Sequence, residues 1–300
     1  MAGSAFSQNP IRCWGSAQMD VLLARWQTGY MHGHKDTRFE NHMYGAVSAI
    51  GGLYAGAADL VLNREIWPVE TMAFEQVMGY PPVAIEVATG SFDVPTKSDS
   101  LNIFVHGQNP IGGLTFAQLA RIFSGRITSW SDLGIKGPLA PRQARPYGYL
   151  TDNAGSRLFQ TLVMARGDRW SPLYREFGNA AQPGGGRLDA GQLILEALAK
   201  DPGGVAISNV HYLNPGVKLV AVSVGDGQPF VVPTRATVQA RAYPLTRQVF
   251  VFVKRDASPE VLEFLRYVLS AEGQKEAALE GGYLPLPESV AKEQRKRLNP

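Results

Sequence analysis

Two spacings of apolar residues alternate along the first hundred residues. Met19, Leu22, Leu23 and Trp26 recur three and four residues apart, which is typical of one face of a helix. The short apolar run 11–14, which ends at Gly15, is typical of a strand. By these criteria strands are predicted at 11–14, 59–62 and 83–87, and helices at 16–30, 48–55 and 68–78. This alternation predicts an α/β fold with a largely parallel sheet and helices on both faces.

The polar stretch 90–100, GSFDVPTKSDS, has no periodicity and predicts a loop or a junction between lobes. The α/β pattern then resumes, with strands predicted at 101–105, 144–149, 205–208, 219–224 and 249–254, and helices at 155–165, 190–199, 259–269 and 272–279. The stretch 182–187, QPGGGR, lacks the strand, the lysine and the spacing of a phosphate-binding loop, so it is interpreted as a flexible turn.

Residues 121–133, RIFSGRITSWSDL, form a conspicuous motif without a reactive group. They are predicted to continue an amphipathic helix that breaks at Ser124 and Gly125, followed by a short segment and an acidic turn. The value of the motif is as a family signature.

Composition narrows the class of protein. With 300 residues and 45% apolar content, the chain can bury a core in each of two lobes. Its 29 basic and 26 acidic side chains are spread along the sequence, which argues against a nucleic-acid partner. The basic run 292–297 is interpreted as a solvated helix end.

Cys13, the single cysteine, excludes an intramolecular disulfide and any cysteine-rich metal site. A buried, inert thiol is favoured over a catalytic one. No run approaches the ~18 apolar residues of a transmembrane helix. The first ten residues lack the regions of a signal peptide. Either the protein is cytoplasmic, or the chain starts after a removed signal and carries an added start.

Catalytic motifs are poorly represented. The sequence has no G-x-S-x-G, no H-E-x-x-H and no Walker lysine motif. His32, His34 and Asp36 could in principle ligate a metal, but a metal site needs three or four converging ligands, so a surface loop is favoured. Neither a metal nor a cofactor is predicted.

Two polar segments point to anion binding instead. Residues 15–17 and 153–157 each follow a predicted strand and open a predicted helix, where free N–H groups and the helix dipole favour an oxyanion. Ordinary N-capping by Ser16 or Ser156 is the alternative for either segment alone. Together with Arg64 and Arg157, the two segments suggest an anion held between two lobes.

At these residues the chain resembles the phosphate-binding proteins of bacterial ABC importers, within the periplasmic-binding-protein superfamily. The matching segments are 15–16, 58–60, 63–64, 109–111, 123–134, 154–157, 203–206, 243–245 and 269–285. The resemblance implies two α/β lobes, each a mostly parallel sheet flanked by helices, joined by two crossover strands. It places lobe one at 1–90 plus 245–300 and lobe two at 91–244, with a hinge that closes on an oxyanion in the cleft.

The resemblance also implies the anion-binding residues. They are Ser16, Ala17, Ser48 in the segment 46–49, Arg64, Ala154, Gly155, Ser156 and Arg157. Asp152, near the start of the same predicted helix, is a candidate acceptor for the proton of monohydrogen phosphate, and a turn or cap carboxylate is the alternative. Four positions depart from the family pattern. Ala154 replaces a serine and Ser156 replaces a threonine, whereas Leu150 stands where an arginine is common and Ala46 where a serine is often found.

The resulting hypothesis is a periplasmic or secreted, monomeric solute-binding protein without enzymatic activity. It would capture an oxyanion, with inorganic phosphate as the leading candidate, and deliver it to the permease subunits of an ABC importer. The alternatives are a phosphatase-like enzyme on the same scaffold, and a ligand-sensing or adhesive protein that is not coupled to transport.

Overall fold

The computed structural model describes residues 9–165, 167–182 and 184–298. The described chain divides into two compact units. The first unit comprises the residues up to Gly90 together with those from Arg247 onward, and the second comprises Ser91–Thr246. Leu245 and Thr246, which the sequence placed in lobe one, fall in the second unit.

Strands and helices alternate through both units. The strands are β1 (Ile11–Gly15), β2 (Phe39–His42), β3 (Leu60–Asn63), β4 (Val83–Thr89), β5 (Asn102–His106), β6 (Gly113–Thr115), β7 (Arg145–Tyr149), β8 (Arg175–Phe177), β9 (Ala180–Ala181), β10 (Arg187–Leu188), β11 (Gly204–Ser208), β12 (Val217–Ser223) and β13 (Gln248–Val253). The helices are α1 (Asp20–Met31), α2 (Ala46–Tyr54), α3 (Pro68–Met78), α4 (Phe116–Phe123), α5 (Ala154–Val163), α6 (Ala190–Leu198), α7 (Arg235–Gln239), α8 (Pro259–Val268), α9 (Ala271–Glu280) and α10 (Glu288–Arg297).

The first unit is built on a sheet with strand order β2-β1-β3-β13-β4. Its pairs are parallel except those of β13, which runs against both of its neighbours. Strand β3 is buried on both faces, since Leu60 and Leu62 join one apolar cluster with Trp26 and Phe264, whereas Val61 joins another with Phe74. Because successive side chains of a strand point to opposite faces, helices must cover both faces of this sheet.

Helix α3 shows how local sequence sets an element. Pro68 stands at its first turn, where a missing N–H costs nothing, and the Glu70 carboxylate accepts a 2.7 Å bond from the Trp67 N–H. Gly79 ends the helix at φ 77°, a left-handed conformation that favours glycine. The predicted helix at 68–78 is confirmed at both ends.

The second unit is built on a sheet with strand order β6-β12-β5-β11-β7-β8. Only β5 runs against its neighbours among these described strands. Each of these two sheets therefore has a single strand that is antiparallel to its neighbours. That strand is the first one formed after the chain crosses between units, β5 in the second unit and β13 in the first. The predicted α/β class is confirmed. Both sheets are mixed, since two of the four pairs of the first sheet and three of the five pairs of the second are parallel among the described strands.

The motif at 121–133 organises the backbone of the second unit. Helix α4 ends at Phe123, and Gly125 at φ 79° turns the chain. Trp130 is completely buried, and its indole N–H donates a 2.9 Å hydrogen bond to the Gly203 carbonyl. The motif is therefore structural, in agreement with its lack of reactive groups.

Several elements differ from the sequence prediction. Strands β2, β6, β8, β9 and β10 and helix α7 were not predicted, and a short 3-10 helix at Ala17–Met19 precedes α1, which begins at Asp20. The glycine-rich turn joins β9 to β10 in an antiparallel hairpin, and its Pro183 lies outside the described residues. The basic run 292–297 is confirmed as the end of a helix, α10. None of the helices in the described ranges is long and apolar enough to span a membrane.

Candidate functional site

The carboxyl end of β1 opens the predicted anion site of the first unit. A Cβ atom on Gly15 would lie 2.2 Å from the Leu62 carbonyl oxygen, so only glycine allows β1 to approach β3 this closely. The Ser16 N–H donates a 3.1 Å bond to the same oxygen, and Ser16 is buried. Ala17, which is exposed, begins the 3-10 helix, whose first N–H groups have no partner within it.

The start of α2 lies beside this segment. The Gly45 N–H donates to the Gly15 carbonyl at 3.1 Å, and the Asn63 side-chain N–H donates to the Ala46 carbonyl at 3.1 Å. Ser48 is exposed in the first turn of α2 and does not cap it. Three loops that are distant in sequence therefore meet at the carboxyl ends of the strands, because the parallel strands β1 and β3 both end there.

Arg64 is the charged residue of this group, and only 6% of its surface is exposed. Its N–H donates a 2.8 Å bond to the Asn63 side-chain oxygen, so Asn63 fixes both Arg64 and α2. The neighbouring Glu65 carboxylate forms an ion pair with the buried guanidinium of Arg247. The Arg247 Nε lies 2.9 Å and 3.1 Å from the two Glu65 carboxylate oxygens. This ion pair offsets an acidic charge that would otherwise oppose an anion near Arg64.

The second unit presents the start of α5, which follows β7. The Asn153 side-chain oxygen caps this helix by accepting a 2.8 Å bond from the Gly155 N–H. The Gly155 N–H is thus already bonded within the protein. The N–H groups of Ala154 and Ser156, in the same first turn, have no partner inside the helix.

Ser156 is completely buried, and its hydroxyl donates a 3.0 Å bond to the Tyr149 carbonyl. The Tyr174 hydroxyl donates to the same carbonyl at 2.7 Å. Burial raises the pKa of Tyr174, which keeps its hydroxyl protonated as a donor. The Ser156 hydroxyl therefore attaches α5 to the end of β7, and its hydrogen is directed to the protein. The Tyr174 hydroxyl attaches the segment before β8 to the same carbonyl.

The remaining predicted residues surround the start of α5. Asp152 and Arg157 are exposed, and Ala154 is half-buried. Leu150, at the position of the expected arginine, is 43% exposed, and its N–H donates to the Phe177 carbonyl at 3.2 Å. The structure thus brings Ser16, Ala17, Ser48 and Arg64 together in the first unit. It brings Asp152, Ala154, Gly155, Ser156 and Arg157 together in the second.

Sequence reasoning missed the positioning role of two asparagines. Asn63 is the last residue of the apolar strand β3, and Asn153 directly precedes α5. An asparagine at either place can bond nearby backbone groups, which is the signal that could have identified both.

We expect Asn153→Ala to lower the free energy of unfolding by about 1 kcal/mol, because it removes the N-cap of α5. Asn153→Asp keeps a capping oxygen and is expected to retain most of the stability. Urea unfolding of the two variants measures the difference. Equal stability of Asn153→Ala and the parent chain would show that the cap contributes nothing.

The contacts of Cys13, and of His34 in the predicted surface loop, are typical of structural residues. Cys13 is buried, as predicted, and burial raises its pKa, which disfavours the reactive thiolate. The His34 ring stacks on Tyr30, and its Nε2 lies 3.3 Å from a Glu263 oxygen. The ranges described contain no group of three or more histidine, cysteine, aspartate or glutamate side chains suited to a metal ion.

Comparison with known proteins identifies the family. Residues 16–272 match the model of the PBP superfamily domain. Over 297 residues the chain is 30% identical to the phosphate-binding protein PstS of Pseudomonas aeruginosa, covering 95% of this chain and 85% of the relative. This chain belongs to the PBP superfamily. It is also 26% identical to the protein SphX of Synechococcus elongatus, over 69% of this chain and 60% of that protein.

Solved structures support the PBP-like fold. The PstS structure from Borrelia burgdorferi has a TM-score of 0.65 at 16% identity and covers 93% of this chain and 100% of its own. The ABC-type phosphate transport receptor from Vibrio cholerae has a TM-score of 0.62 at 19% identity, with coverage of 92% and 100%. The predicted family and fold class are both confirmed.

Proposed function

We propose that this chain is an extracytoplasmic solute-binding protein that captures an oxyanion, phosphate first, and delivers it to the permease subunits of an ABC importer. The observation that carries the proposal is the 30% identity to a phosphate-binding protein across 95% of the chain. On this proposal the protein acts as a monomer in the periplasm or outside the cell and performs no covalent chemistry.

Two features of the described residues support an anionic ligand. In the first unit, a buried arginine, Arg64, directly follows β3, at the carboxyl ends of the strands where three loops meet. In the second unit, the first turn of α5 contains the N–H groups of Ala154 and Ser156, which have no partner within the helix. We propose that the backbone donors of α5 contact the anion, because the Ser156 hydroxyl already donates to Tyr149. Asp152 is proposed as the acceptor that favours a protonated phosphate over sulfate.

Isothermal titration of the ligand-free protein tests this proposal. Orthophosphate is expected to bind with a Kd well below about 1 mM, and sulfate more weakly. Absence of orthophosphate binding at about 1 mM would overturn the phosphate proposal. A chromogenic phosphate ester tests the absence of covalent chemistry. Product release by the parent chain that is lost in Arg64→Gln would identify an enzyme instead.

A further inference from the structure

A cavity of about 230 Å³ lies within the second unit, beside the start of α5. Its lining includes Lys97, Leu150, Asn153, Asn179, Arg187 and Asp189. A water molecule occupies about 30 Å³ in the liquid, and drug-sized ligands occupy pockets from about 300 Å³ upward. The cavity is therefore large enough for a group of several heavy atoms and smaller than the site of a large organic ligand.

The two asparagines of the cavity expose hydrogen-bond donors. Asn153 accepts the Gly155 N–H at 2.8 Å, and Asn179 accepts the Ala190 N–H at 2.7 Å. A backbone N–H can only donate, so the accepting atom of each amide must be its oxygen. The NH2 group is then the part of each side chain that remains for a ligand. Both amides consequently favour a ligand that accepts hydrogen bonds.

The charged side chains of the lining favour the same kind of ligand. Lys97 and Arg187 are cations that only donate, whereas Asp189 is the one acidic residue of this lining, so two cations and one anion leave a formal charge of +1. One Asp189 oxygen is engaged as the N-cap of α6, where it accepts the Gly191 N–H at 2.8 Å. Within the described ranges, Arg187 forms no hydrogen bond or ion pair through its side chain.

The wall of the cavity that carries Lys97 is fixed in place. The Asn209 side chain donates to the carbonyls of Val94 and Lys97, and the Thr96 N–H donates to the Tyr212 hydroxyl at 3.2 Å. Thr96 adopts φ 63°, a left-handed conformation that is costly for a β-branched residue. These bonds hold the loop in one conformation, so this wall of the cavity does not have to be assembled by its ligand.

We propose that this cavity is a second anion subsite, which binds the distal acidic group of a ligand that carries two. Such ligands include diphosphate and phosphorylated carboxylic acids. This inference rests on the proposed function, because the first acidic group would bind at the start of α5. Asn153 lines the cavity and directly precedes Ala154, so one ligand can reach both places. The donor-rich, positively charged lining then supplies the contacts that a lone orthophosphate cannot use.

Titration of the full chain with four compounds tests the subsite. Diphosphate and 2-phosphoglycolate are expected to bind at least about tenfold more tightly than orthophosphate, whereas glycerol 3-phosphate, whose substituent is neutral, gains nothing. The first two compounds separate a phosphoryl from a carboxylate as the distal group. Tighter binding of only one of them supports the subsite and identifies the group that it prefers.

Three variants test whether the tighter binding of diphosphate arises in the cavity. Arg187→Gln is expected to reduce diphosphate affinity about tenfold and to leave orthophosphate affinity within about twofold. Asn179→Asp keeps the oxygen that accepts the Ala190 N–H but removes the NH2 donor, and it is expected to have the same selective effect. Lys136→Gln removes an exposed cation of the same unit that does not line the cavity, and it should alter neither affinity.

The outcomes separate this inference from the proposed function. If orthophosphate binds and neither diphosphate nor 2-phosphoglycolate binds more tightly, the subsite is overturned and the proposed function stands. If diphosphate binds more tightly but Arg187→Gln retains that gain, the cavity is not the subsite. If none of the four compounds binds at about 1 mM, the proposed function itself fails.

Discussion

Arg64→Gln is expected to weaken orthophosphate binding about 10- to 150-fold, the effect of losing one charge-assisted hydrogen bond worth about 1.5–3 kcal/mol. The effect should be large because only 6% of Arg64 is exposed, so water screens its charge poorly. The carboxylate beside it, Glu65, is paired with Arg247, which offsets its negative charge. Isothermal titration at constant ionic strength measures the change.

Two further variants make the Arg64 experiment specific. Arg64→Lys keeps the positive charge but loses the planar fork of donors, so an intermediate affinity is expected. Arg38→Gln removes an exposed arginine of the same unit, whose guanidinium donates to the carbonyls of Lys35 and Thr37, and this variant should bind orthophosphate normally. Circular dichroism and thermal unfolding establish that each variant is folded. A folded Arg64→Gln protein with unchanged affinity would remove Arg64 from the site.

Leu150→Arg is expected to strengthen orthophosphate binding by a similar factor, about 10- to 150-fold. The resemblance to phosphate-binding proteins places an arginine at this position, which follows β7 and precedes the first turn of α5. Leu150 is 43% exposed, so a guanidinium can be placed there without the cost of burying a charge. The measurement is a titration with orthophosphate at low and high salt, where the gain should shrink as salt screens the added charge.

The matched control for this gain is Leu150→Gln, which removes the same leucine but adds no charge. Its orthophosphate affinity is expected to stay within about twofold of the parent chain. An equal gain in both variants would assign the effect to loss of the leucine. No gain in Leu150→Arg would show that this position does not face the anion.

Most of the helices and the central strands could be predicted because their own sequences contain the necessary signals. Helix α3 has a proline at its start and a left-handed glycine after its end, and both act through the local backbone. Strand β3 is uniformly buried, so its apolar run is visible without knowing its neighbours.

The strands that the sequence did not reveal all lie at sheet edges. Strand β2 borders the first sheet, β6 and β8 border the second, and β9 and β10 form a two-stranded hairpin. An edge strand is short, and one side of its backbone is unpaired, so it needs fewer apolar residues than a central strand. The chain segment becomes a strand because a neighbouring strand supplies its hydrogen bonds.

The candidate site, like the fold, could be predicted from the sequence only in part. The segments that form it follow from sequence, since a strand that ends in glycine, asparagine or serine before a helix exposes N–H donors at a predictable place. Which of those donors remain available does not follow from sequence. Asn153 takes the Gly155 N–H, and the Ser156 hydroxyl donates to Tyr149. Both depend on the position of α5 against β7.

The sequence by itself determined the family, the α/β class and the segments that offer N–H donors, because these depend on residue type and spacing along the chain. Only the tertiary structure decided that Asn63 joins two loops of the first unit, and that Lys97 and Arg187 line one cavity. Lys97 and Arg187 are far apart in sequence, and no periodicity relates them. Their proximity results from the packing of strands and loops, since hydrogen bonds and charges act between groups that are close in space.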